Sequence, residues 1–264
     1  MDFPAAKALF EDSESNRFYA DIPGTRVAMS KLRNATKNPF KIILLYGRPG
    51  TGKSYVIHRF MEQYRDELTL FYYPEPLFDP KHSLADIWNR LGETPLPEKT
   101  SDRELLERFK SRSGDPVYIL LDEAQMYSPT QLEWIRILSN IPVFKFIVVI
   151  HDIENEALWA QEHFKTRTFE TIRLSYLSLP EVGEYIEKKL QLLGDLELSN
   201  LFGKTNFKRI YKLTKGNLRD INRLMHRTLE ILEWRMTGIK SFLGGHVKNK
   251  YIEMAALDLK MIHG

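Results

Sequence analysis

The chain has 264 residues, 43% hydrophobic and 28% charged, with 38 Lys and Arg against 35 Asp and Glu and no cysteine. That length and aromatic content support a buried core and exclude a disordered chain, and the missing cysteines exclude disulfides, thiolate-bound zinc, iron–sulfur clusters and a thiol nucleophile. No apolar run approaches the roughly 18 to 20 residues of a membrane span, and the acidic start MDFPAAKALFEDSES has no signal-peptide core, so a cytoplasmic location is expected.

In chain order, the first forty residues are mixed. Val27, Leu32 and Met29 give a loose helical spacing that predicts a lead-in helix over 25–35. Phe40 to Tyr46 (FKIILLY) then reads as a strand apolar on both faces, the type a parallel sheet covered by helices requires. Further strands are predicted at 69–73, 117–121, 144–150 and 171–174, with helices at 55–64, 84–91, 102–111, 130–138 and 156–164 between them. Alternation of this kind means an α/β fold on a parallel sheet with right-handed crossovers.

After Leu177 the character changes. Ser178-Leu-Pro-Glu181 reads as a capping box opening a helix that carries Val182, Tyr185, Ile186 and Leu190. Asn217 caps a second helix with Leu218, Ile221, Leu224, Met225, Leu229 and Leu232, and a last helix is placed near 250–261. The expected division is therefore an α/β domain over 1–177, with 1–24 as its lead-in, and a small all-helical domain over 178–264. The helical part carries 15 Lys and Arg against 10 Asp and Glu, a modest basic surplus.

Gly47-Arg48-Pro49-Gly50-Thr51-Gly52-Lys53-Ser54 fits G-x-x-x-x-G-K-[ST] between a strand and a helix, the context this motif needs. Glycines let the backbone curl so that N–H groups, together with the N-terminus of the helix that follows at Tyr55, face phosphate oxygens. Lys53 is expected to reach the β- and γ-phosphates of ATP, and the Ser54 hydroxyl to ligate Mg²⁺. The apolar run Val117 to Leu121 leads into Asp122 and Glu123, at the sheet edge where ligands gather in such folds. Asp122 is expected to hold Mg²⁺ and Glu123 to polarise the attacking water. A lone Asp would suit a kinase or a GTPase equally; the Glu beside it favours ATP hydrolysis.

GRPGTGKS, LLDEAQ, a polar residue after the fourth strand and the Gly216-Asn217-Leu218-Arg219 helix start together resemble an AAA+ ATPase over about residues 25–232. More narrowly the order is similar to the ExeA/GspA-type ATPases associated with type II secretion and to their TnsC and MuB relatives. The resemblance implies a RecA-like sheet domain followed by a helical lid. It implies that His151 is the sensor-1 residue, with Asp152 a competitor, although Asn or Gln is more usual there. It further implies that Arg219 is the sensor-2 arginine, and that Arg167 is the arginine finger of an oligomer, with Lys165 and Arg173 as competitors. Gln125 either orients Glu123 or caps the following turn. The secretion members continue into a membrane span and a cell-wall-binding region, so a membrane link for this chain is expected through a protein partner.

The seven histidines show no metal spacing, and no G-x-S-x-G elbow supports serine chemistry. Residues 204–227 hold eight Lys and Arg against Asp220, with Phe207 and Tyr211 interleaved, which raises DNA contact beside the plainer reading of a basic lid face. Three uses compete: an accessory ATPase of a secretion, pilus or DNA-uptake machine, a DNA-bound regulator of transposition or replication loading, and a nucleotide-gated switch with negligible turnover. A small-molecule P-loop kinase is a weaker rival.

Overall fold

The computed structural model describes residues 2–11, 21–74, 80–94, 96–97, 100–151, 169–237 and 247–262. Five apolar runs form β1 (Ile42–Gly47), β2 (Thr69–Tyr73), β3 (Val117–Leu121), β4 (Phe144–His151) and β5 (Phe169–Arg173). They stand in the order β2-β3-β4-β1-β5, and every pairing is parallel. Helices α1 (Phe3–Leu9), α2 (Pro23–Lys37), α3 (Lys53–Tyr64), α4 (Pro80–Arg90), α5 (Asp102–Ser111) and α6 (Pro129–Leu138) precede or interleave with the strands. Among the described residues, the elements after β5 are all helices: α7 (Leu179–Gln191), α8 (Leu196–Ser199), α9 (Lys204–Thr214), α10 (Leu218–Thr237) and α11 (Asn249–Asp258). The expected α/β fold and helical C-terminal part are both present. The helix expected at 156–164 lies outside the described residues.

Two compact units result. One holds the described residues of 28–48 and 56–174, and therefore the whole sheet. The period of two along each strand sends Ile42, Leu44, Val117, Ile119, Phe146 and Val148 into one core with Leu84, Ile87, Leu105, Phe109 and Ile135 of α4, α5 and α6. The alternate residues Ile43, Leu45, Leu120, Ile147 and Val149 are buried as well, which explains why these runs are apolar on both faces. On that second face the Tyr118 hydroxyl donates to the Thr36 carbonyl of α2 at 2.8 Å. Local caps fix the connections: Ser101 Oγ accepts the Glu104 N–H, and Ser128 with Gln131 forms a capping box ahead of Pro129.

The other unit gathers the described residues up to 27, the loop 49–55 and the residues from 175 onward. This grouping departs from a linear division at 177 in two places. Helix α1, unread in the mixed N-terminal sequence, buries Phe3, Ala6 and Phe10 in one core with Val182, Ile186, Ile210, Leu224 and Ile252. Its end is tied by Lys189, whose buried ammonium donates to the Leu9 carbonyl at 2.7 Å and lies 4.9 Å from the Phe10 ring centroid. The second departure is the glycine-rich loop, whose partners are described next. Among the described residues, no helix is long and apolar enough to cross a membrane.

Candidate functional site

Strand β1 ends at Gly47, whose register partner is His151, the last residue of β4. The chain then leaves the sheet through Arg48, Pro49, Gly50, Thr51 and Gly52 and re-enters helix at Lys53. Gly50 and Gly52 have φ of 80° and 87°, a region that L side chains rarely adopt, so the two glycines make the curl. Thr51 and Lys53 are buried; Ser54 and Tyr55 are half-buried in the first turn of α3.

The loop is gripped from one side by the start of α10. Asn217 Nδ2 donates to the Pro49 carbonyl at 3.3 Å, and the Leu218 N–H donates to the Gly50 carbonyl at 2.9 Å. Asn217 Oδ1 meanwhile caps the helix by accepting the N–H groups of Arg219 (3.0 Å) and Asp220 (3.3 Å). A Cβ on Gly50 would stand 2.0 Å from that Oδ1, so only glycine permits this approach. Gly216, with φ of 82°, answers the same need before the cap: its carbonyl accepts the Leu177 N–H at 3.0 Å, and a Cβ there would meet Leu177 O at 2.0 Å. The Gly-Asn-Leu-Arg sequence thus does two things at once: it starts α10 and holds the loop. The Arg219 side chain is exposed.

At the end of β3, Asp122 is 3% exposed. Its Oδ1 accepts the Glu123 N–H at 2.9 Å, and its Oδ2 accepts the Tyr72 hydroxyl from neighbouring β2 at 3.2 Å. Glu123 sits in the left-handed region (φ 49°, ψ 33°), a conformation that costs a non-glycine residue on the order of 1 kcal/mol or more. Its carboxylate is held twice. Gln125 Nε2 donates to Oε2, and His151 Nε2 lies 2.6 Å from Oε1. An ionised carboxylate only accepts, so against ionised Glu123 this imidazole nitrogen is the donor. The Gln125 carbonyl oxygen closes the ring by accepting the His151 N–H at 3.0 Å.

The structure therefore joins Asp122, Glu123 and His151 in one polar cluster and adds Gln125 and Tyr72, the first left between two roles in the sequence and the second read only as a buried strand residue. No local pattern marks Tyr72, because its partner comes from the next strand. Arg173 ends β5, exposed. Arg167 and its competitor Lys165 lie outside the described residues, as does Asp152, the competitor of His151. Among the described residues no three His, Asp or Glu side chains converge as a metal cage. The lone buried Asp122 suits an ion such as Mg²⁺, which takes one or two carboxylates and draws its remaining ligands from phosphate and water.

Residues 38–156 match the family described as AAA domain. The chain is also similar to general secretion pathway protein A of Aeromonas hydrophila, 24% identical over an alignment of 215 residues, which covers 76% of this chain and 39% of that protein. It thus spans about two-fifths of the length of the curated relative it matches. Among solved structures it resembles Cdc6p from Pyrobaculum aerophilum (TM-score 0.63, 17% identical, covering 96% of this chain and 70% of that one). Drosophila ORC bound to DNA gives a TM-score of 0.65 at 15% identity, over 98% of this chain and 66% of that one. The Thermotoga maritima RuvB Holliday junction branch migration motor gives 0.57 at 16%, over 96% and 73%. At these identities the solved structures speak to the fold.

Proposed function

We propose that this chain, an AAA+ P-loop protein by its matched segment and its fold, binds ATP with Mg²⁺, hydrolyses it, and uses the cycle as a switch or motor on a partner complex. The observation that carries the reading is Glu123, set beside buried Asp122 in a strained backbone and held on both carboxylate oxygens by His151 and Gln125. In this reading Lys53 and the amides of 47–55 take the phosphates, and Ser54 and Asp122 hold the ion. Glu123 accepts the proton of the attacking water, and His151 and Gln125 keep its carboxylate aimed. The bound ion supplies charge neutralisation on the phosphates. Arg219 senses the γ-phosphate from the start of α10, and the grip of Asn217 and Leu218 on the loop carries that state into the helix. Arg167 acts in trans in a nucleotide-dependent oligomer.

Similarity to a general secretion pathway protein favours work on a secretion, pilus or DNA-uptake machine, with the chain cytoplasmic and drawn to the inner membrane by its partner. A second reading, a DNA-bound ATPase of transposition or replication loading, is favoured by the basic helical part and by the likeness to a DNA-bound ORC structure.

The test pairs two variants. Lys53→Ala is expected to abolish ATP binding. Glu123→Gln is expected to keep binding and to lose turnover by about 10² to 10⁴-fold, the range of a removed general base. Titration with a fluorescent ATP analogue and phosphate release measure the two. Parent-like affinity in Lys53→Ala would overturn the reading, and unchanged cellular function in Glu123→Gln would reduce it to a binding switch.

A further inference from the structure

Helix α9 carries a row of cations that the ATPase reading leaves unused. Lys204, Lys208, Lys212 and the C-cap Lys215 are all exposed. At roughly 100° per residue Lys204, Lys208 and Lys212 fall within an arc of about 80°, and at 1.5 Å per residue they span about 12 Å of one helix edge, with Lys215 following at the left-handed C-cap. No carboxylate pairs with any of them among the described residues, whereas five cations on other helices are matched one turn away: Arg90 with Asp86, Arg108 with Glu104, Lys110 with Glu107, Arg136 with Glu133 and Lys188 with Glu184. Arg209, the remaining cation of α9, is spent on Glu253 at 3.0 Å. Glu187 shares a surface cleft with Lys204 at the N-terminal end of the row.

Helix stability does not account for this row. Like charges one turn apart repel, and a cation in the first turn opposes the helix dipole, which only Lys212 and Lys215 at the far end satisfy. The apolar side is fully used: Phe207 and Ile210 are buried in the helical core. The geometry points to this face as a docking surface for the phosphate backbone of duplex DNA. The exposed edge offers Lys204, Thr205, Lys208, Lys212 and Lys215 and no apolar side chain to insert into a membrane. It also offers no exposed aromatic ring on which the bases of a single strand would stack, since Phe207 is buried and Tyr211 half-buried. A straight, evenly spaced row of ammonium groups with nothing to read base edges fits sequence-independent contact with a double helix.

This inference deepens the DNA reading above and is independent of nucleotide binding. It is tested by fluorescence anisotropy of a short labelled DNA duplex across a KCl series, with the parent, the triple variant K208E/K212E/K215E, its neutral counterpart K208Q/K212Q/K215Q, and Lys53→Ala. Four phosphate contacts predict a slope of log K against log salt near −3.6, at about −0.9 per contact. The neutral variant is expected to reduce the magnitude of that slope by about 2.7, to about −0.9, and the affinity by tenfold or more, and the charge-reversed one further. Both should keep the parent's circular dichroism and its ATP affinity, and Lys53→Ala should bind duplex like the parent. If the parent binds but the triple variants bind equally well, the surface is wrong while the DNA reading survives. No duplex binding by the parent overturns both, as does binding confined to phosphatidylserine vesicles; neither result touches the ATP site.

Discussion

In the proposed function Glu123 is the residue on which the chemistry concentrates, and its surroundings separate aiming from binding. Gln125 reaches both the Glu123 carboxylate and the backbone N–H of His151, so one amide fixes the base against the end of β4. Gln125→Ala removes that tie without touching a phosphate-binding group. The expected result is a fall in kcat of about ten- to a hundredfold, the cost of a base misplaced by about an ångström, with ATP affinity unchanged. Gln125→Glu should be worse, because it sets a second negative charge against Glu123. Measuring dissociation constant and single-turnover rate separately decides the matter; an equal loss in both would make Gln125 a structural residue. Asp122 and Glu123 were legible in the sequence because an apolar run of strand length ends on two acids. Tyr72 was not, and Gln125 was left between two roles, since the bonds that decide them come from a neighbouring strand or from His151, and no local spacing records which strands adjoin.

Among the elements, helix starts were the most readable features and also carry a measurable pH signature. The Glu181 side chain accepts the Ser178 N–H (2.9 Å) and Oγ–H (2.6 Å) at the head of α7, and with its other oxygen the Gly24 N–H (3.0 Å). Burial pushes its carboxyl upward, but these three bonds together outweigh it and hold the group below the usual carboxylate range. A folded-state value lowered in this way gives stability that is present in full above the unfolded-state value of about 4.3 and is lost as pH falls through the folded value. Glu181→Gln should therefore cost about 1 kcal/mol at neutral pH, a typical capping contribution, and the gap to the parent should close in acid. Urea denaturation at both pH values checks this; a gap that persists in acid would assign the loss to packing. The first four strands follow their apolar runs closely, β2 and β3 residue for residue. Helix α9 escaped notice as an element because lysines fill its outer edge, leaving an apolar pattern of Phe207, Ile210 and the half-buried Tyr211 and Leu213.

For the molecule as a whole, sequence order and spatial grouping part company. The change of composition after Leu177 is real, yet the helical core is completed by residues from the opposite end of the chain, and a linear reading has no means of pairing Phe3 and Phe10 with Leu190 and Met225. The energetic weight of this closure can be separated from mere surface contact. Phe10 is 1% exposed, and its truncation removes a whole ring from a close-packed site. Lys7, on the same helix, makes an ion pair with Glu233 at 2.7 Å in which both side chains keep about a quarter of their surface in water (22% and 31%). Solvent screening limits such a pair to about 1 kcal/mol or less. Phe10→Ala should then lower unfolding free energy by about 3–5 kcal/mol and Lys7→Ala by a small fraction of that. Urea denaturation followed by far-ultraviolet circular dichroism reads both. If Phe10→Ala cost no more than Lys7→Ala, α1 would be an ornament on the helical unit, and the unit would be complete from residue 175 onward without it.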